Sequence, residues 1–511
     1  MKTHDVVIVG GGITGLTAAY RLKQLAEARE LSIHCTVLEQ SDRFGGKVFT
    51  HRQDGFVLER GPDSLLARKE AATRLIRDLG LESEMVGTNP NPKAQKTYMV
   101  FRGRLTPMPA GTNMGIPADL GLFMKTELLS SSEKLRVLMD IVLPRNHLDG
   151  DQSVGAFLRR RLGDAMVERI CEPLQAGIYA GSIDRLSLQT TFPQFLELER
   201  KYRSIILGSR TERQALLARL EKAKQASVSS GNPPSGVPMG AAAGRSTFVT
   251  VRHGLQSIVE RLYDELADWA DLRTLAPVTD VSARPDGSYS VSTMREGVQE
   301  TLHADTVICA TPAMSAAQLL RQIAPQAAAE IGQIEYVSTA TVILVYRENQ
   351  IPGELDASGF LVPRTENRAI TASTWLSSKW PHTTPDGHIV VRCYVGRAGQ
   401  QAGLELDDQG IVEAVRGELK SLLHLDAKPQ YTLVTRWNHA MPQYHVGHLK
   451  RVERAEQALV QSAPGVYIAG AGYYGIGVPD CIRHGEQVAA NVVDYLTGGS
   501  ALTNGTDATA Y

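Results

Sequence analysis

Cysteine is scarce in this sequence, and its cysteines are far apart. The 511 residues include five, namely Cys35, Cys171, Cys309, Cys393 and Cys481. None of them shows the close C-x-x-C spacing that metal-binding and redox motifs use. This pattern argues against a disulfide framework and against a zinc site, and it favours buried apolar thiols in a reducing compartment. We therefore expect no structural disulfide and no metal ion.

Long hydrophobic runs and an excess of one charge are also missing. No uninterrupted apolar run approaches the ~18 residues that a membrane span needs. The apolar run near the N-terminus is interrupted by glycine, which is typical of a strand and not of a signal sequence. The 54 basic and 55 acidic residues nearly balance, so net charge does not indicate a nucleic-acid partner. We expect a protein without a transmembrane segment, located in the cytoplasm.

Several familiar catalytic motifs are absent as well. The sequence contains no G-x-S-x-G nucleophile elbow, no H-E-x-x-H zinc helix and no Walker A loop. We therefore assign no catalytic side chain. The difficult chemistry is then expected from a cofactor, with the protein supplying orientation and a dry cavity.

Glycine, in contrast, is abundant, and a glycine motif follows the first predicted strand. Val6 to Val9 is an apolar, β-branched run that is typical of a buried parallel strand. Gly10, Gly12 and Gly15 then form G-x-G-x-x-G. In this motif the first glycine allows a tight turn, the second lets the backbone approach a pyrophosphate, and the third lets the helix pack on the strand. The following helix would direct its unpaired N–H groups at a phosphate.

The second predicted strand, Cys35 to Leu38, ends at Glu39. An acidic residue at this position accepts hydrogen bonds from a pair of ribose hydroxyls in nucleotide-binding βαβ units. A glycine pair, Gly45-Gly46, comes next, and the Gly61-Pro62 loop beyond it would let the backbone approach a ring system closely. Strand, glycine turn, helix and acid together predict a mononucleotide-binding βαβ unit.

A second G-x-G-x-x-G occurs near the end of the chain, at Gly470, Gly472 and Gly475. Taken alone, it would propose a second dinucleotide site, for NADH. However, Gly477 and Pro479 interrupt the expected helix start, and the chain ends after one helix without a third strand or a ribose-binding acid. We interpret this segment as a glycine-lined approach to the cofactor that the N-terminal unit binds.

One complete nucleotide motif, with cofactor contacts at both ends of the chain, favours FAD over a dissociable nicotinamide because FAD is long enough to span a domain. The fold class is α/β, with a discontinuous Rossmann-like FAD-binding domain, an antiparallel-sheet substrate domain and a helical domain. The predicted boundaries are 1–90, 246–312 and 452–497 for the FAD-binding domain, 91–110, 187–226 and 313–451 for the substrate domain, 111–186 for the helical domain, 227–245 for a flexible insertion and 498–511 for a disordered tail.

Longer motifs carry a family resemblance that runs from about Asp5 to Leu496. They are GGGITG at Gly10 to Gly15, RFGGK at Arg43 to Lys47, ERGPDS at Glu59 to Ser64, EPLQAGIYAGSIDRLS at Glu172 to Ser187, RWNHAMPQYHVGH at Arg436 to His448 and GIGVPDCI at Gly475 to Ile482. With these motifs the chain resembles the flavin-dependent protoporphyrinogen and coproporphyrinogen oxidases, within the larger group that includes monoamine oxidases. The first two motifs specify only the flavoprotein group. GIYAGSIDRLS with MPQYHVGH is most similar to the soluble Gram-positive branch, which acts on coproporphyrinogen III.

The resemblance implies a set of site residues. The FAD contacts that it implies are Gly10, Gly11, Gly12, Ile13, Thr14, Gly15, Glu39, Gln40, Lys47, Gly61, Pro62, Asp63, Ser64, Val278, Trp437, Ile476, Gly477, Val478 and Pro479. It also implies that Gly177 and Ile178 border the macrocycle and that Lys69 lies near a substrate propionate.

Two positions depart from the family pattern. Ala471 stands where many relatives have Asp, which weakens any expectation of a side-chain contact to the flavin phosphates there. Tyr473 and Tyr474 precede Gly475, where monoamine oxidases have the cysteine that attaches their flavin. We therefore predict that FAD is bound noncovalently.

The resemblance further implies an oxidase that converts coproporphyrinogen III into coproporphyrin III in haem biosynthesis. Three two-electron rounds would each move a hydride from a methylene bridge to flavin N5 and release a pyrrole proton, with O2 as the final acceptor. The pyrroles stabilise the cation that remains, so no strong side-chain base is required. Delivery of the porphyrin to a ferrochelatase is a hypothesis from pathway logic.

Several alternatives stay open. Protoporphyrinogen IX oxidation is the same chemistry on two propionates instead of four, and the sequence does not show which of Lys69, Lys93, Arg102 and Arg104 face the substrate. Amine oxidation needs an aromatic cage beside the flavin. A noncatalytic protein like the prenyl-protein escort proteins would lack flavin. The apolar cluster from Leu120 to Leu129 fits a helical core or a surface for a lipid-like or macrocyclic ligand, which leaves peripheral membrane contact open.

Overall fold

The computed structural model describes residues 2–146, 150–230 and 246–499. The strands are β1 (His4–Val9), β2 (Ile33–Leu38), β3 (Thr50–Gln53), β4 (Phe56–Glu59), β5 (Leu65–Leu66), β6 (Met85–Gly87), β7 (Tyr98–Phe101), β8 (Arg104–Pro107), β9 (Thr112–Asn113), β10 (Ile116–Pro117), β11 (Phe248–Val251), β12 (Ala270–Arg273), β13 (Val278–Ala283), β14 (Tyr289–Arg295), β15 (Val298–Ala304), β16 (Thr306–Cys309), β17 (Tyr336–Arg347), β18 (Gly359–Leu361), β19 (Ala372–Trp375), β20 (His388–Val395), β21 (Tyr431–Pro442) and β22 (Val466–Ile468). The helices are α1 (Ile13–Ala28), α2 (Glu70–Asp78), α3 (Leu120–Phe123), α4 (Ser131–Leu138), α5 (Val154–Leu162), α6 (Asp164–Met166), α7 (Glu172–Tyr179), α8 (Leu188–Thr191), α9 (Pro193–Tyr202), α10 (Ile205–Ser230), α11 (Gln256–Leu266), α12 (Ala313–Leu320), α13 (Pro325–Ile331), α14 (Leu376–Lys379), α15 (Asp408–Leu423), α16 (His448–Ser462) and α17 (Val478–Leu496).

The chain forms two compact units, and each is assembled from separated stretches. Among the described residues, the first unit comprises 2–86, 247–335 and 447–499, and the second comprises 87–146, 150–230, 246 and 336–446. The first unit therefore includes α12 and α13, which the sequence analysis placed in the substrate domain. They belong here because α13 packs along α16, where Arg454 donates to Glu330 over 2.8 Å.

A parallel five-stranded sheet forms the centre of the first unit, in the order β12-β2-β1-β16-β22. Val7 of β1 lies between Thr36 of β2 and Val307 of β16 in the register. The inner strands are nearly continuous buried apolar runs, as expected where helices cover both faces. The strand order reverses between β1 and β16, and nucleotides bind at such a switch point, outside the carboxyl ends of the strands.

Smaller antiparallel sheets complete the first unit. β13, β14 and β15 form one of them, and β3 pairs with β4 across the Asp54-Gly55 turn. The sequence analysis did not predict β12 or β15. The residues of β15, VQETLHA, are largely polar and alternate between exposed and half-buried positions, so they show no apolar run.

The second unit is built on a seven-stranded sheet in the order β21-β17-β20-β19-β18-β7-β8. It is antiparallel, as predicted, except that β18 and β7 run parallel. Its core contains Tyr346, Phe360 and Trp375 from the sheet, together with Ile411 and Val415 from α15. Its longest strands are β17 and β21, with 12 residues each, and β21 lies at one edge of the sheet.

Helices α3 to α10 supply the helical part of the second unit. Ser130 and Glu133 form a capping box at the start of α4. The fully buried Arg161 is held by Asp140 and Glu199, so the charge at the centre of these helices is paired. Val167–Cys171 forms one π-helical turn directly before α7.

Some sequence predictions concern residues that lie partly or wholly outside the described ranges. The last residues of α10, 227–230, are helical and not part of a flexible excursion. The rest of the predicted insertion, 231–245, and the tail from residue 500 lie outside the described residues. Within 120–129, Phe123, Leu128 and Leu129 are buried, whereas Leu122 and Met124 are exposed, so this cluster is core in part.

The structure bears on membrane crossing and on thiol chemistry. Within the residues that the structure describes, no helix is both long enough and apolar enough to cross a bilayer. All five cysteines are buried and none is in a disulfide, as the sequence predicted.

Candidate functional site

Each glycine of the opening turn has its own structural reason. Gly10 has a φ of +108°, and a Cβ there would lie 2.8 Å from the carbonyl oxygen of Ala310. A Cβ on Gly15 would lie 2.0 Å from the carbonyl oxygen of Gly10, so only glycine lets α1 approach β1 this closely. A Cβ on Gly12 would meet nothing within 4 Å. Protein packing does not require glycine at position 12, and the space beside it suits a ligand that approaches the backbone.

The same turn leaves the start of α1 open to an anion. Gly12 is the N-cap residue of α1 and offers no side-chain hydrogen bond, and the first turn contains no acidic residue. The first N–H groups of a helix have no partner within the helix, and together with the helix dipole they attract phosphate. The open space at Gly12 and the uncapped helix therefore fit the pyrophosphate that the sequence predicted there.

Glu39 lies at the end of β2, where the sequence predicted it, and it is buried. Its Oε2 accepts a hydrogen bond of 2.8 Å from the backbone N–H of Gly11, and its Oε1 accepts from the N–H and the hydroxyl of Ser41, each over 2.8 Å. A carboxylate has about four acceptor sites. Three of these sites are used, so Glu39 can accept about one further hydrogen bond. The two ribose hydroxyls that the sequence predicted would donate two. Gln40, directly after it, is exposed.

Arg43 holds the backbone around the Gly45-Gly46 pair and Arg60 lies against the same aromatic ring, and sequence reasoning missed both roles. The guanidinium of Arg43 donates to the carbonyl oxygens of Phe44, Gly46 and Val48. The guanidinium carbons of Arg43 and Arg60 lie 3.9 Å and 4.5 Å from the ring centre of Phe49. Arginine flanking an aromatic residue was the available signal, because guanidinium groups stack on aromatic faces.

Lys47 follows this glycine pair. Gly45 donates its N–H to the carbonyl oxygen of Gly11 over 2.8 Å, which places the pair against the opening turn. Burial lowers the pKa of the Lys47 ammonium, and the adjacent Cys481 opposes that shift. The ammonium of Lys47 is thus a buried cation next to α17, the helix that contains Cys481.

The closing turn, Gly470 to Gly477, is held by side chains of α16 and α17. Nε2 of the buried His448 lies 2.9 Å from the carbonyl oxygen of Tyr473, and the hydroxyl of Tyr474 donates to Glu456 over 2.7 Å. His484 accepts a hydrogen bond at Nδ1 from the N–H of Gly470 over 3.2 Å. Burial lowers the pKa of His484 to about 4, so its imidazole is neutral near pH 7.

The opening and closing turns meet in the first unit. A Cβ on Gly485 of α17 would lie 2.5 Å from the carbonyl oxygen of Thr14 in α1, so these two helices touch through glycine. A Cβ on Gly470 would lie 3.8 Å from the hydroxyl oxygen of Thr14 and 4.0 Å from the carbonyl oxygen of Ala310. Two segments that are far apart in the sequence therefore border one space.

Lys69 and Asp480 form an ion pair beside the closing turn. The Lys69 ammonium lies 2.7 Å from both carboxylate oxygens of Asp480, which is buried. In this structure Lys69 therefore supports the start of α17. Its predicted role near a substrate propionate stays a prediction.

The other predicted first-unit contacts lie in loops and at the start of elements. Ser64 donates its hydroxyl to Asp63 over 2.8 Å, and the loop from Gly61 to Ser64 is partly exposed. The N–H of Ala276, two residues before Val278, donates to the carbonyl oxygen of Glu39 over 2.9 Å. This hydrogen bond places Val278, at the start of β13, near the end of β2. Val478 and Pro479 open α17, and Ile476 and Gly477 precede it.

Three predicted residues belong to the second unit. Gly177 and Ile178 are exposed at the end of α7, with Ile178 at 39% exposure. Trp437 is half-buried on β21, opposite Thr339 of β17. Their predicted contacts with substrate and cofactor stay predictions.

A buried polar group braces the segment after Ile178, and sequence reasoning did not find it. Arg364 donates to Glu172 over 2.6 Å and to the carbonyl oxygen of Gly181 over 2.9 Å. Gln443 donates to the carbonyl oxygen of Tyr179 over 2.9 Å. Burial raises the pKa of Glu172, and burial lowers the pKa of Arg397 to about 10. Residues that are far away in the sequence therefore hold the motif EPLQAGIYAG in place.

The two tyrosines of the closing turn do not form an aromatic cage. The ring of Tyr473 is buried and meets His484 edge-on at 6.1 Å between ring centres. The ring of Tyr474 meets the same imidazole edge-on at 5.1 Å. Both rings pack on one histidine, which disfavours the amine-oxidase alternative.

The comparisons with known proteins agree with this geometry. The family model described as flavin containing amine oxidoreductase matches residues 13–493. The chain belongs to this family. A flavin is the cofactor of the family, and the first unit provides the uncapped helix, the buried acid and the two glycine turns that fit FAD.

Two curated relatives and one solved structure define the position within the family. The chain is 40% identical to a coproporphyrinogen III oxidase of Bacillus subtilis, over 97% of this chain and 99% of that protein. It is 29% identical to the chloroplastic protoporphyrinogen oxidase 1 of Spinacia oleracea, over 96% of this chain and 84% of that protein. A crystal structure from Exiguobacterium sp. 255-15, named as a protoporphyrinogen oxidase, has a TM-score of 0.81 and 35% identity, and covers 96% of this chain and 99% of that one.

For this flavin-containing family member, the thiol beside the site is a poor candidate for attachment to the cofactor. Cys481 follows the start of α17, and burial raises its pKa to about 11. The thiolate is the nucleophilic form of cysteine. A protonated, buried thiol accords with noncovalent FAD.

Proposed function

We propose that the protein is an FAD-dependent oxidase that converts coproporphyrinogen III into coproporphyrin III, with O2 as electron acceptor, in haem biosynthesis. The observation that carries this proposal is the 40% identity with the Bacillus subtilis coproporphyrinogen III oxidase over nearly the whole of both chains. The meeting of two remote glycine turns at one space supports it, because FAD is long enough to reach both.

The first unit binds and orients the cofactor. The uncapped start of α1 would hold the pyrophosphate, and Glu39 would accept a hydrogen bond from the ribose. Bound FAD would accept the electrons that leave the substrate. The N-terminus of α17 also has no side-chain cap, and the carboxylate of Asp480 in its first turn is paired with Lys69.

We assign no side chain as a catalytic base. Removal of hydride from a methylene bridge leaves a cation that the adjacent pyrroles delocalise, so a weak proton acceptor is sufficient. The work of the protein in this proposal is to bind, orient and exclude water.

Protoporphyrinogen IX oxidation is the second candidate. The Exiguobacterium structure and the 29% identical spinach protein carry that name. The two substrates undergo the same ring oxidation and differ in the number of propionates. The distinction is therefore one of specificity and not of mechanism.

A direct assay separates the two candidates. The purified yellow protein is supplied with each porphyrinogen in turn, and porphyrin fluorescence and O2 uptake are followed together. We expect a higher kcat/KM for coproporphyrinogen III. A higher kcat/KM for protoporphyrinogen IX would overturn the substrate assignment. If neither substrate gave porphyrin, the proposed reaction would be overturned. An anaerobic reaction controls for the acceptor.

The remaining partners are also part of the proposal. Delivery of coproporphyrin to a ferrochelatase predicts that the two proteins bind each other or channel the product. A cytoplasmic location accords with five unlinked cysteines. Pull-down from cell extract and fractionation of cells test these two points.

A further inference from the structure

Histidine and aspartate side chains gather at the amino-terminal ends of the parallel strands, at the opposite end of β1 from the opening glycine turn. His4 and Asp5 begin β1, His34 lies in β2, His303 lies in β15, and Asp305 directly precedes β16. The six residues of β1 separate this cluster from the glycine turn by ~20 Å. The cluster is therefore not part of the flavin site.

The carboxylate of Asp5 lies between two imidazoles. Its Oδ1 is 3.0 Å from Nδ1 of His34, and its Oδ2 is 3.0 Å from Nδ1 of His303. One potential ligand atom from each of Asp5, His303 and Asp305 lies within 4.8 Å of the others. In a tetrahedral zinc site with ligand distances near 2.1 Å, neighbouring donor atoms are about 3.4 Å apart. Small side-chain rotations would bring these atoms to that geometry.

A third imidazole lies against the same cluster. Nδ1 of His4 is buried and has no hydrogen-bond partner, and it is 3.8 Å from Oδ2 of Asp305. Asp305 is already engaged by the N–H of Asp5 at 2.9 Å and by the ammonium of Lys2 at 3.1 Å. The Lys2 side chain is 70% exposed, so it can leave this carboxylate without uncovering a core.

We propose that this cluster, with Asp5 and His303 at its centre, binds Zn2+ or a similar divalent transition-metal ion. Imidazole together with carboxylate is a ligand set that suits zinc, copper and nickel, whereas magnesium and calcium prefer oxygen alone. The ion would join β1, β15 and the residue before β16 at the amino-terminal ends of the parallel strands. These ligands come from distant stretches of the chain and show no local spacing motif, so the sequence alone did not indicate a metal site.

The first test measures zinc binding to the FAD-loaded, metal-stripped protein by isothermal titration calorimetry. We expect one equivalent of Zn2+ to bind. The variants His34→Ala and His303→Ala should each weaken binding by about tenfold or more, because even the partners behind metal ligands contribute factors of about 10 to 100. The side chains of His34 and His303 are 60% and 39% exposed, so neither substitution should unfold the protein.

His253→Ala is the matched control. His253 is an exposed histidine of the same unit whose Nε2 lies 3.7 Å from a single carboxylate, that of Glu84. Its removal should leave zinc affinity unchanged. Equal affinity in all three variants would place the ion elsewhere and overturn the proposal. Absence of zinc binding at millimolar concentration would also overturn the proposal. The cluster would then be a hydrogen-bonded network without a metal ion.

A spectroscopic measurement identifies the ligands directly. Cu2+ added to the FAD-loaded protein should give an electron paramagnetic resonance spectrum with hyperfine splitting from imidazole nitrogen, and oxidised flavin does not contribute to that spectrum. The nitrogen splitting should become simpler in His303→Ala. An unchanged spectrum in His303→Ala and in Asp5→Asn would contradict the assignment.

Discussion

Gly12 and Gly15 belong to one motif, yet they have different tasks. Protein atoms crowd Gly15, whereas a Cβ at Gly12 meets none within 4 Å. We expect Gly15→Ala to lower the free energy of unfolding by about 1–3 kcal/mol or more, because the new Cβ would overlap a backbone oxygen. Gly12→Ala should fold normally but bind FAD about tenfold or more weakly, because the Cβ occupies the space for the pyrophosphate.

Chemical denaturation and the ratio of flavin to protein separate these two effects. Gly417→Ala in α15 is the control, since its Cβ also meets nothing within 4 Å and its site is a helix interior far along the chain. It should raise stability by about 0.5–1 kcal/mol and leave flavin content unchanged. Full FAD occupancy in Gly12→Ala would count against a pyrophosphate at this position.

His484 should make the first unit sensitive to acid. Its folded pKa is about 4, whereas an unperturbed histidine titrates near 6.5. Between these values the unfolded chain binds a proton that the folded chain does not, so the stabilisation is complete above about pH 6.5 and is lost as the pH falls toward 4. The loss should reach up to roughly 1.4 kcal/mol for each pH unit.

Urea denaturation at several pH values measures this contribution. His484→Asn preserves an acceptor for the N–H of Gly470 but cannot titrate, so its stability should approach that of the wild type as the pH falls. His253→Asn, at an exposed histidine, should keep a constant difference from the wild type. A constant difference for His484→Asn as well would show that this imidazole does not control the acid response.

At the scale of single residues, the sequence predicted the positions whose roles depend on near neighbours. Gly15 and Glu39 act on backbone of the same βαβ unit, so their spacing was informative, whereas the close contact of Gly10 is with Ala310. The roles of Arg364 and Gln443 depend on partners more than 180 residues away, and no local pattern reveals such pairs.

The closing helix α17 depends on one ion pair at its start. Lys69→Met would leave the buried Asp480 carboxylate without this partner, and we expect a loss of about 1–3 kcal/mol in the free energy of unfolding. Lys69→Arg should retain most of the stability because it keeps the charge. The double variant Lys69→Met with Asp480→Asn should recover part of the loss, because no charge is then left buried.

Steady-state kinetics tests whether this lysine also meets the substrate. If Lys69 acts only through Asp480, the KM for the porphyrinogen should change by less than about twofold in Lys69→Met while stability falls. A large rise in KM with unchanged stability would instead assign Lys69 to the substrate carboxylate.

Elements were predictable where their apolar pattern was simple. β1, β2 and β22 are largely buried apolar runs, and α15 is capped by Asp407, whose side chain accepts from the N–H of Gly410. β12 and β15 were missed because neighbouring strands, and not their own side chains, hold them in place. The packing partner of α13 likewise lies more than 100 residues away, so no local pattern indicates that this helix packs on α16.

The whole protein should release its flavin on denaturation. Acid precipitation of the yellow protein should give a colourless pellet and a yellow supernatant, because Tyr473 and Tyr474 stand where an attaching cysteine would be and the thiol of Cys481 is protonated. Absorbance of both fractions measures the result. A yellow pellet would show a covalent bond to the flavin, and a colourless starting protein would favour the escort-type alternative.

The first unit begins with residue 2 but receives its edge strand β22 and the helix α17 only after residue 465. During translation at roughly 5–20 residues per second, the ribosome needs on the order of half a minute to a minute and a half to deliver that last strand. Between the synthesis of β16 and that of β22, on the order of 8 to 30 seconds at this speed, the nascent polypeptide carries an incomplete sheet whose β16 edge is open. A shortage of riboflavin would affect the protein only after its synthesis, because the proposed FAD site needs the closing turn. Chaperones that shield unpaired strands would act mainly before α17 emerges from the ribosome.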